Sequence, residues 1–84
     1  MNYTITIKPS AEKELDFFPK ATQRRLRTRI LSLEQNPRPP GIKKLKGGEG
    51  YRLRVGDYRI LLLIDDEAKV VDVVAIGHRK EVYR

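Results

Sequence analysis

The sequence predicts an α+β domain in the order β-α-α-β-β-β, an antiparallel sheet with an N-terminal helical hairpin packed on one face. Three observations carry that prediction. Residues 2–8 alternate between apolar and polar side chains. Residues 10–35 hold two runs with apolar residues at helical spacing, divided by Pro19. Residues 51–76 hold three alternating or apolar runs, divided by two short polar turns. A chain of 84 residues supports a single domain, residues 1–84, with one small core.

The first strand places Tyr3, Ile5 and Ile7 on one face and Asn2, Thr4, Thr6 and Lys8 on the other. Pro9-Ser10 ends it and opens the first helix, with Ser10 the expected N-cap. Glu12, Glu14 and Asp16 lie in its early turns, where the helix dipole favours acid. Ala11, Leu15 and Phe18 form its apolar stripe. Pro19 fits the first turn of a second helix that runs to about Gln35, with Leu26, Ile30 and Leu33 as its buried seam. Residues 36–50 contain three prolines and four glycines and read as a loop, pinned by Ile42 and Leu45, with Lys43, Lys44 and Lys46 pointing outward. Residues 51–55 alternate as a strand. Gly56-Asp57 is a two-residue hairpin turn. Residues 58–64 form the central strand, residues 65–68 turn the chain, and residues 69–76 run back.

The charge is uneven. The net charge is +7, from 18 Lys and Arg against 11 Asp and Glu. Residues 20–59 alone carry twelve basic side chains against three acidic ones, a net of +9. So strong a local field in so small a domain suits a polyanionic partner, a nucleic acid or an acidic protein segment. The longest apolar run, Ile60 to Ile64, is far too short to span a membrane, so no membrane partner is expected. The opening residues lack the basic and apolar regions of a secretory signal, and a soluble cytoplasmic protein is the default.

Hairpin geometry sharpens the charge argument. With Gly56 and Asp57 as turn residues, Val55 faces Tyr58, Arg54 faces Arg59, Leu53 faces Ile60 and Arg52 faces Leu61. Alternation then gathers Arg52, Arg54 and Arg59 on one side of the sheet and Tyr51, Leu53, Val55, Tyr58 and Ile60 on the other. Directly opposed like charges disfavour the sheet, so a sequence shaped by stability alone avoids them. Three guanidiniums on one patch suit a phosphate, through bidentate hydrogen bonds. A purely structural role would instead pair each with an acid such as Glu49 or Asp72.

The available chemistry is narrow. There is no Cys and only one His, so disulfides, thiol nucleophiles and transition-metal sites drop out, and no metal or other cofactor is expected. Gly47-Gly48-Glu49-Gly50 lacks the Lys-Ser/Thr sequel of a phosphate-binding loop. A cationic patch, one His and several Tyr remain. That set can support metal-free RNA cleavage by attack of a ribose 2′-hydroxyl on its own phosphate. Arg stays protonated, so arginines position and stabilise. His78 is the proton carrier with the best intrinsic pKa, and Tyr83 can serve if surrounding Arg lowers its pKa.

Tyr51-Arg-Leu-Arg-Val-Gly-Asp-Tyr-Arg59, preceded by Leu45-Lys-Gly-Gly48 and followed by Gly77-His-Arg-Lys-Glu-Val-Tyr-Arg84, resembles the RelE/ParE toxin superfamily, RelE branch, over the whole chain. The resemblance implies a type II toxin that cleaves mRNA, typically in the ribosomal A site. It also implies a cognate RelB-like antitoxin whose acidic segment wraps the toxin. Its basic sheet residues match Arg52 and Arg54, its phosphate-stabilising arginines match Arg59 and Arg79, and its C-terminal tyrosine matches Tyr83. The best-studied pattern has Lys at the positions of Arg52 and Arg54. If that Lys is the base, His78 or Tyr83 must replace it here. Lys43, Lys44 and Lys46, with Arg24, Arg25 and Arg27, are the expected contacts to the RNA backbone. Two alternatives stand beside this reading. One is a ParE-like gyrase poison, which has no need of the Arg79…Tyr83 ending. The other is a non-catalytic nucleic-acid-binding module using the Arg-rich second helix.

Overall fold

The structure, a computed structural model, describes residues 2–48 and 50–78. Its elements are β1 (Thr4–Ile7), α1 (Pro9–Asp16), α2 (Lys20–Ser32), β2 (Ile42–Lys44), β3 (Gly50–Val55), β4 (Tyr58–Asp65) and β5 (Val70–His78). The α+β class, the helical hairpin and the β3–β4–β5 meander agree with the sequence reading. No helix among the described residues is long and apolar enough to cross a membrane.

Helix α1 starts two residues earlier than an N-cap at Ser10 implies. Pro9 occupies the first helical turn and Lys8 is the N-cap, without a side-chain cap bond. A fixed φ and a missing N–H suit Pro to that position, so Ser10 falls inside the helix. Pro19 likewise caps α2 instead of lying within it. The joint between the helices is sealed by Gln23, whose Nε2 donates to the carbonyls of Phe18 at 2.8 Å and Asp16 at 3.3 Å. These carbonyls lie at and just beyond the C-terminus of α1, where the helix offers no further N–H. Arg27 adds an ion pair to Glu12 at 2.8 Å. Helix α2 ends at Ser32, and tighter turns carry the chain on to Gln35 and Asn36.

The sheet has five strands in the order β1-β5-β4-β3-β2. It is mixed, not wholly antiparallel: β1 runs parallel to β5, from Thr4 opposite Val70 to Ile7 opposite Val73. Hairpin turns set the mutual direction of β3, β4 and β5. The β1–β5 pairing joins segments more than sixty residues apart, and no local signal encodes its polarity. The segment read as an uninterrupted loop also contains a strand. Residues 42–44 pair antiparallel with β3, closed by Leu45 N–H donating to Gly50 O at 2.9 Å. Three residues between glycines and prolines are too few to show a period of two, and the pairing with β3 supplies what the local sequence lacks.

The helices cover one face of this sheet. Ala11 and Leu15 of α1, Leu26 and Ile30 of α2, and Leu33 just beyond it are buried against Leu53, Val55, Ile60, Leu62, Val71, Val73 and Ile76. Each fully buried Leu or Ile contributes about 1.5–3 kcal/mol. The opposite face carries no helix among the described residues. Where β1 ends, α1 takes over the edge of β5: Glu14 Oε1 accepts the backbone N–H of Ile76 at 2.9 Å.

Candidate nucleic-acid interface

The β3–β4 register is the one hairpin geometry requires: Val55 opposite Tyr58, Arg54 opposite Arg59, Leu53 opposite Ile60 and Arg52 opposite Leu61. Gly56 opens the turn at φ +59, a value that favours glycine. Leu53, Val55 and Ile60 point into the core. Residues directly opposed in a ladder share a face, so Arg52, Arg54 and Arg59 stand together on the helix-free side. The β2 register adds Lys43, which lies opposite Arg52. Four cations thus form two neighbouring rows, Lys43–Arg52 and Arg54–Arg59, with side-chain-free Gly77 beside Arg59 on β5. A pocket of about 290 Å³ opens here, lined by Gly41, Ile42, Lys43, Arg52 and Arg54.

The electrostatics favour an anion. The Nε atoms of Arg52 and Arg59 are shielded from solvent. Arg54 is exposed and forms no ion pair among the described residues. Asp72, one of the acids that might have neutralised the patch, accepts the Thr6 hydroxyl at 2.8 Å instead. Glu49, the other, lies outside the described residues. Two like charges at opposed positions of a ladder repel one another weakly in water. A phosphate between them converts that repulsion into two charge-assisted attractions, with donors matched to its oxygens.

The other expected site residues are dispersed. Arg79 and Tyr83 lie outside the described residues. His78 is opposite Tyr58, not Arg59, and its ring meets the Tyr58 ring edge-on at 5.7 Å and 82°. Tyr58 in turn packs on Phe18 at 4.9 Å. His78 therefore belongs to the helix-covered side and is separated from the arginine patch by the sheet. The strand period decides this: Gly77 takes the arginine side, so its neighbour cannot. Lys44 lies opposite Tyr51, out of line with the patch, and Lys46 sits in the β2–β3 turn. Arg27 is held by Glu12. Arg24 and Arg25 line a separate cavity beside the hairpin turn. Among the described residues no three His, Asp or Glu converge as metal ligands.

A polar network that sequence reading does not single out anchors the loop before β2. Arg38 donates to both Asp66 carboxylate oxygens at 3.0 Å and to the Tyr51 hydroxyl at 3.1 Å, and its guanidinium stacks on the Tyr51 ring at 5.1 Å. Tyr3 donates its hydroxyl to Asp66 at 2.7 Å. Arg38, and then Tyr3, hold the Asp66 carboxyl down to about 2, and the same Asp66 bond pushes the Tyr3 phenol up. The network joins the β4–β5 turn, β3 and the residue-38 loop. It thereby sets where β2, and with it Lys43, meets Arg52. The partners are far apart in sequence, and only a lone Arg in a proline cluster hinted at it.

The model of the family described as "ParE toxin of type II toxin-antitoxin system, parDE" matches residues 5–83. A chain of the archaeal RelE–RelB complex from Pyrococcus horikoshii is 31% identical, with 98% of this chain and 100% of that one covered, at a TM-score of 0.85. A chain of the toxin–antitoxin complex RelBE2 from Mycobacterium tuberculosis is 26% identical, with 94% and 100% covered, also at 0.85. A chain of the RelB–RelE antitoxin–toxin complex from Methanococcus jannaschii is 25% identical, with 93% and 94% covered, at 0.76.

Proposed function

Since the chain belongs to the ParE toxin family of type II toxin–antitoxin systems, within the RelE/ParE superfamily, we propose that it is a RelE-like toxin that cleaves mRNA as a metal-independent endoribonuclease, on the ribosome and in the cytoplasm. The observation that carries this reading is the Arg54–Arg59 pair, two like charges opposed on an uncovered sheet face with Arg52 and Lys43 alongside.

In the proposed reaction the ribose 2′-oxygen attacks the adjacent phosphorus. The 2′-hydroxyl gives up its proton to a base, the bond from phosphorus to the 5′-oxygen breaks, and the leaving oxygen takes up a proton from an acid, which leaves a 2′,3′-cyclic phosphate and a 5′-hydroxyl. Arg54 and Arg59 bind the non-bridging oxygens and stabilise the charge that builds on them. Arg52 and Lys43 hold the backbone on the neighbouring row. The guanidiniums keep their protons, so proton transfer falls to another group. His78 faces the helices, and Tyr83, supported by the family resemblance, takes that role, with Arg79 as a further phosphate ligand. A cognate RelB-like antitoxin restrains the activity. Its acidic segment is complementary to the +9 block, and the related complexes pair RelE with RelB.

Mapping of message ends after induction, and in a purified ribosome assay with and without magnesium chelation, tests the proposal. The parent chain is expected to cleave, and Arg59→Ala, Arg79→Ala and Tyr83→Phe to lose most of that activity. Full cleavage by all three variants overturns it. The matching family model is that of ParE toxins, which favours a gyrase poison as the second reading. Accumulation of gyrase-linked DNA breaks with intact messages decides for that reading.

A further inference from the structure

The two edges of the sheet are unlike. At one, β2 carries Lys43 and Lys44 and follows Pro39 and Pro40, features that discourage a further strand. At the other, β1 is Thr4-Ile5-Thr6-Ile7, with no charge, proline or bulge. The amides of Thr4 and Lys8 donate inward, to Lys69 O at 2.8 Å and Val73 O at 2.9 Å. By the strand period, Ile5 and Ile7 turn their N–H and C=O groups outward, where no strand lies among the described residues. Their side chains, with Arg27, Ile30, Leu31 and Glu34, line a groove of about 180 Å³ between β1 and the end of α2. Leu31 is 58% exposed there.

We propose that the β1 edge is a self-association surface, on which a second copy of this chain docks its own β1, antiparallel about a two-fold axis at Thr6. Charge chooses that occupant. Acid outnumbers base in the segments that build this side: residues 1–19 carry two basic against three acidic side chains, and residues 60–78 one against four. The +9 block supplies β2 and β3 at the opposite edge. Two copies joined at β1 keep their arginine patches at the outer ends and meet where their charges repel least. The groove itself holds one Arg and one Glu, a neutral set that can face its own copy. A nucleic acid finds only Arg27 here, already held by Glu12. Backbone geometry fits the same arrangement. With Thr6 on the axis, Ile5 of each copy lies opposite Ile7 of the other, and each pair exchanges two N–H···O=C bonds, four in all. The isoleucines and the grooves of both copies lie on one face of a continuous sheet. The assignment goes beyond the nuclease reading, because it requires no cleavage.

The chain has no cysteine, so introduced thiols report the register. Thr6→Cys places two sulfurs on the axis, in a non-hydrogen-bonded pair with Cα atoms about 4.5 Å apart, within reach of a disulfide. Thr4→Cys separates the Cα atoms by about 14 Å, beyond that reach. Both positions are exposed. Under mild oxidation of the full chain, Thr6→Cys is expected to give a covalent dimer and Thr4→Cys to stay monomeric. The parent is expected to approach twice the monomer mass in sedimentation equilibrium as concentration rises, and to gain exchange protection at the Ile5 and Ile7 amides. Leu31→Lys should raise the dissociation constant roughly tenfold, with circular dichroism unchanged. Equal cross-linking at the two cysteine positions means random collision and overturns the proposal, as does a parent that stays monomeric at millimolar concentration. A monomeric parent whose Ile5 and Ile7 amides are protected by an added Thr-Ile-Thr-Ile-Thr peptide overturns it too, and assigns the edge to a strand of another protein.

Discussion

His78 meets Tyr58 edge-on at 5.7 Å, on the side of the sheet that carries the helices. The one imidazole of the chain is therefore packed away from the arginines it would have to serve as a proton carrier. Its replacement by Gln is expected to leave message cleavage within about twofold of the parent, against losses of a hundredfold or more for a residue that stabilises the transition state. Single-turnover cleavage rates check this, and a large loss in His78→Gln would return the imidazole to the site.

Arg54 is the cleanest probe of the opposed pair, since it is exposed and forms no ion pair among the described residues. Arg54→Gln should leave thermal stability unchanged or raise it by about 0.5 kcal/mol, through relief of like-charge repulsion. The same change should lower cleavage about a hundredfold. Thermal denaturation and cleavage measured on one preparation separate the two effects. A fall in melting temperature would mean that the pair supports the fold.

The Asp66 carboxyl is held at about 2, below its ordinary 3.8, chiefly by hydrogen bonds from Arg38. A depressed pKa in the folded state means that this stability is fully present above the unfolded value. It is lost as pH falls from about 4 toward about 2. Melting temperature should drop over that interval in the parent, and Asp66→Asn should flatten that part of the profile while lowering stability at neutral pH. An unchanged acid limb in Asp66→Asn would show that the network contributes nothing.

Glu14 accepts the Ile76 N–H where β1 no longer reaches. Glu14→Ala should cost about 1 kcal/mol and speed hydrogen exchange at the Ile76 amide. Glu14→Gln keeps an accepting oxygen and should restore most of the protection. Equal exchange in all three chains would place the bond outside the native ensemble.

Local signals made much of this molecule legible. The alternation in residues 51–62 and the Gly56-Asp57 turn predict the β3–β4 register residue by residue, and with it the Arg54–Arg59 opposition. Leu26, Ile30 and Leu33 announce the buried seam through their spacing. Ser10 misled because Pro9 is the better opener of a helix. His78 misled because chemistry suggested a role before strand parity had assigned it a face. Lys43 was visible as a charge but not as a neighbour of Arg52, and Arg38 not as an anchor.

The sequence by itself determined the α+β class, the hairpins and the gathering of three arginines, because each depends on residues a few positions apart and on the fixed periods of helix and strand. The tertiary structure decided the parallel β1–β5 pairing, the short β2 strand that brings Lys43 to the patch, the removal of His78 from it, and the Arg38–Asp66 anchor. Those features arise from contacts between segments distant along the chain, and such contacts are selected by the burial of the whole core and not by the preferences of any one segment.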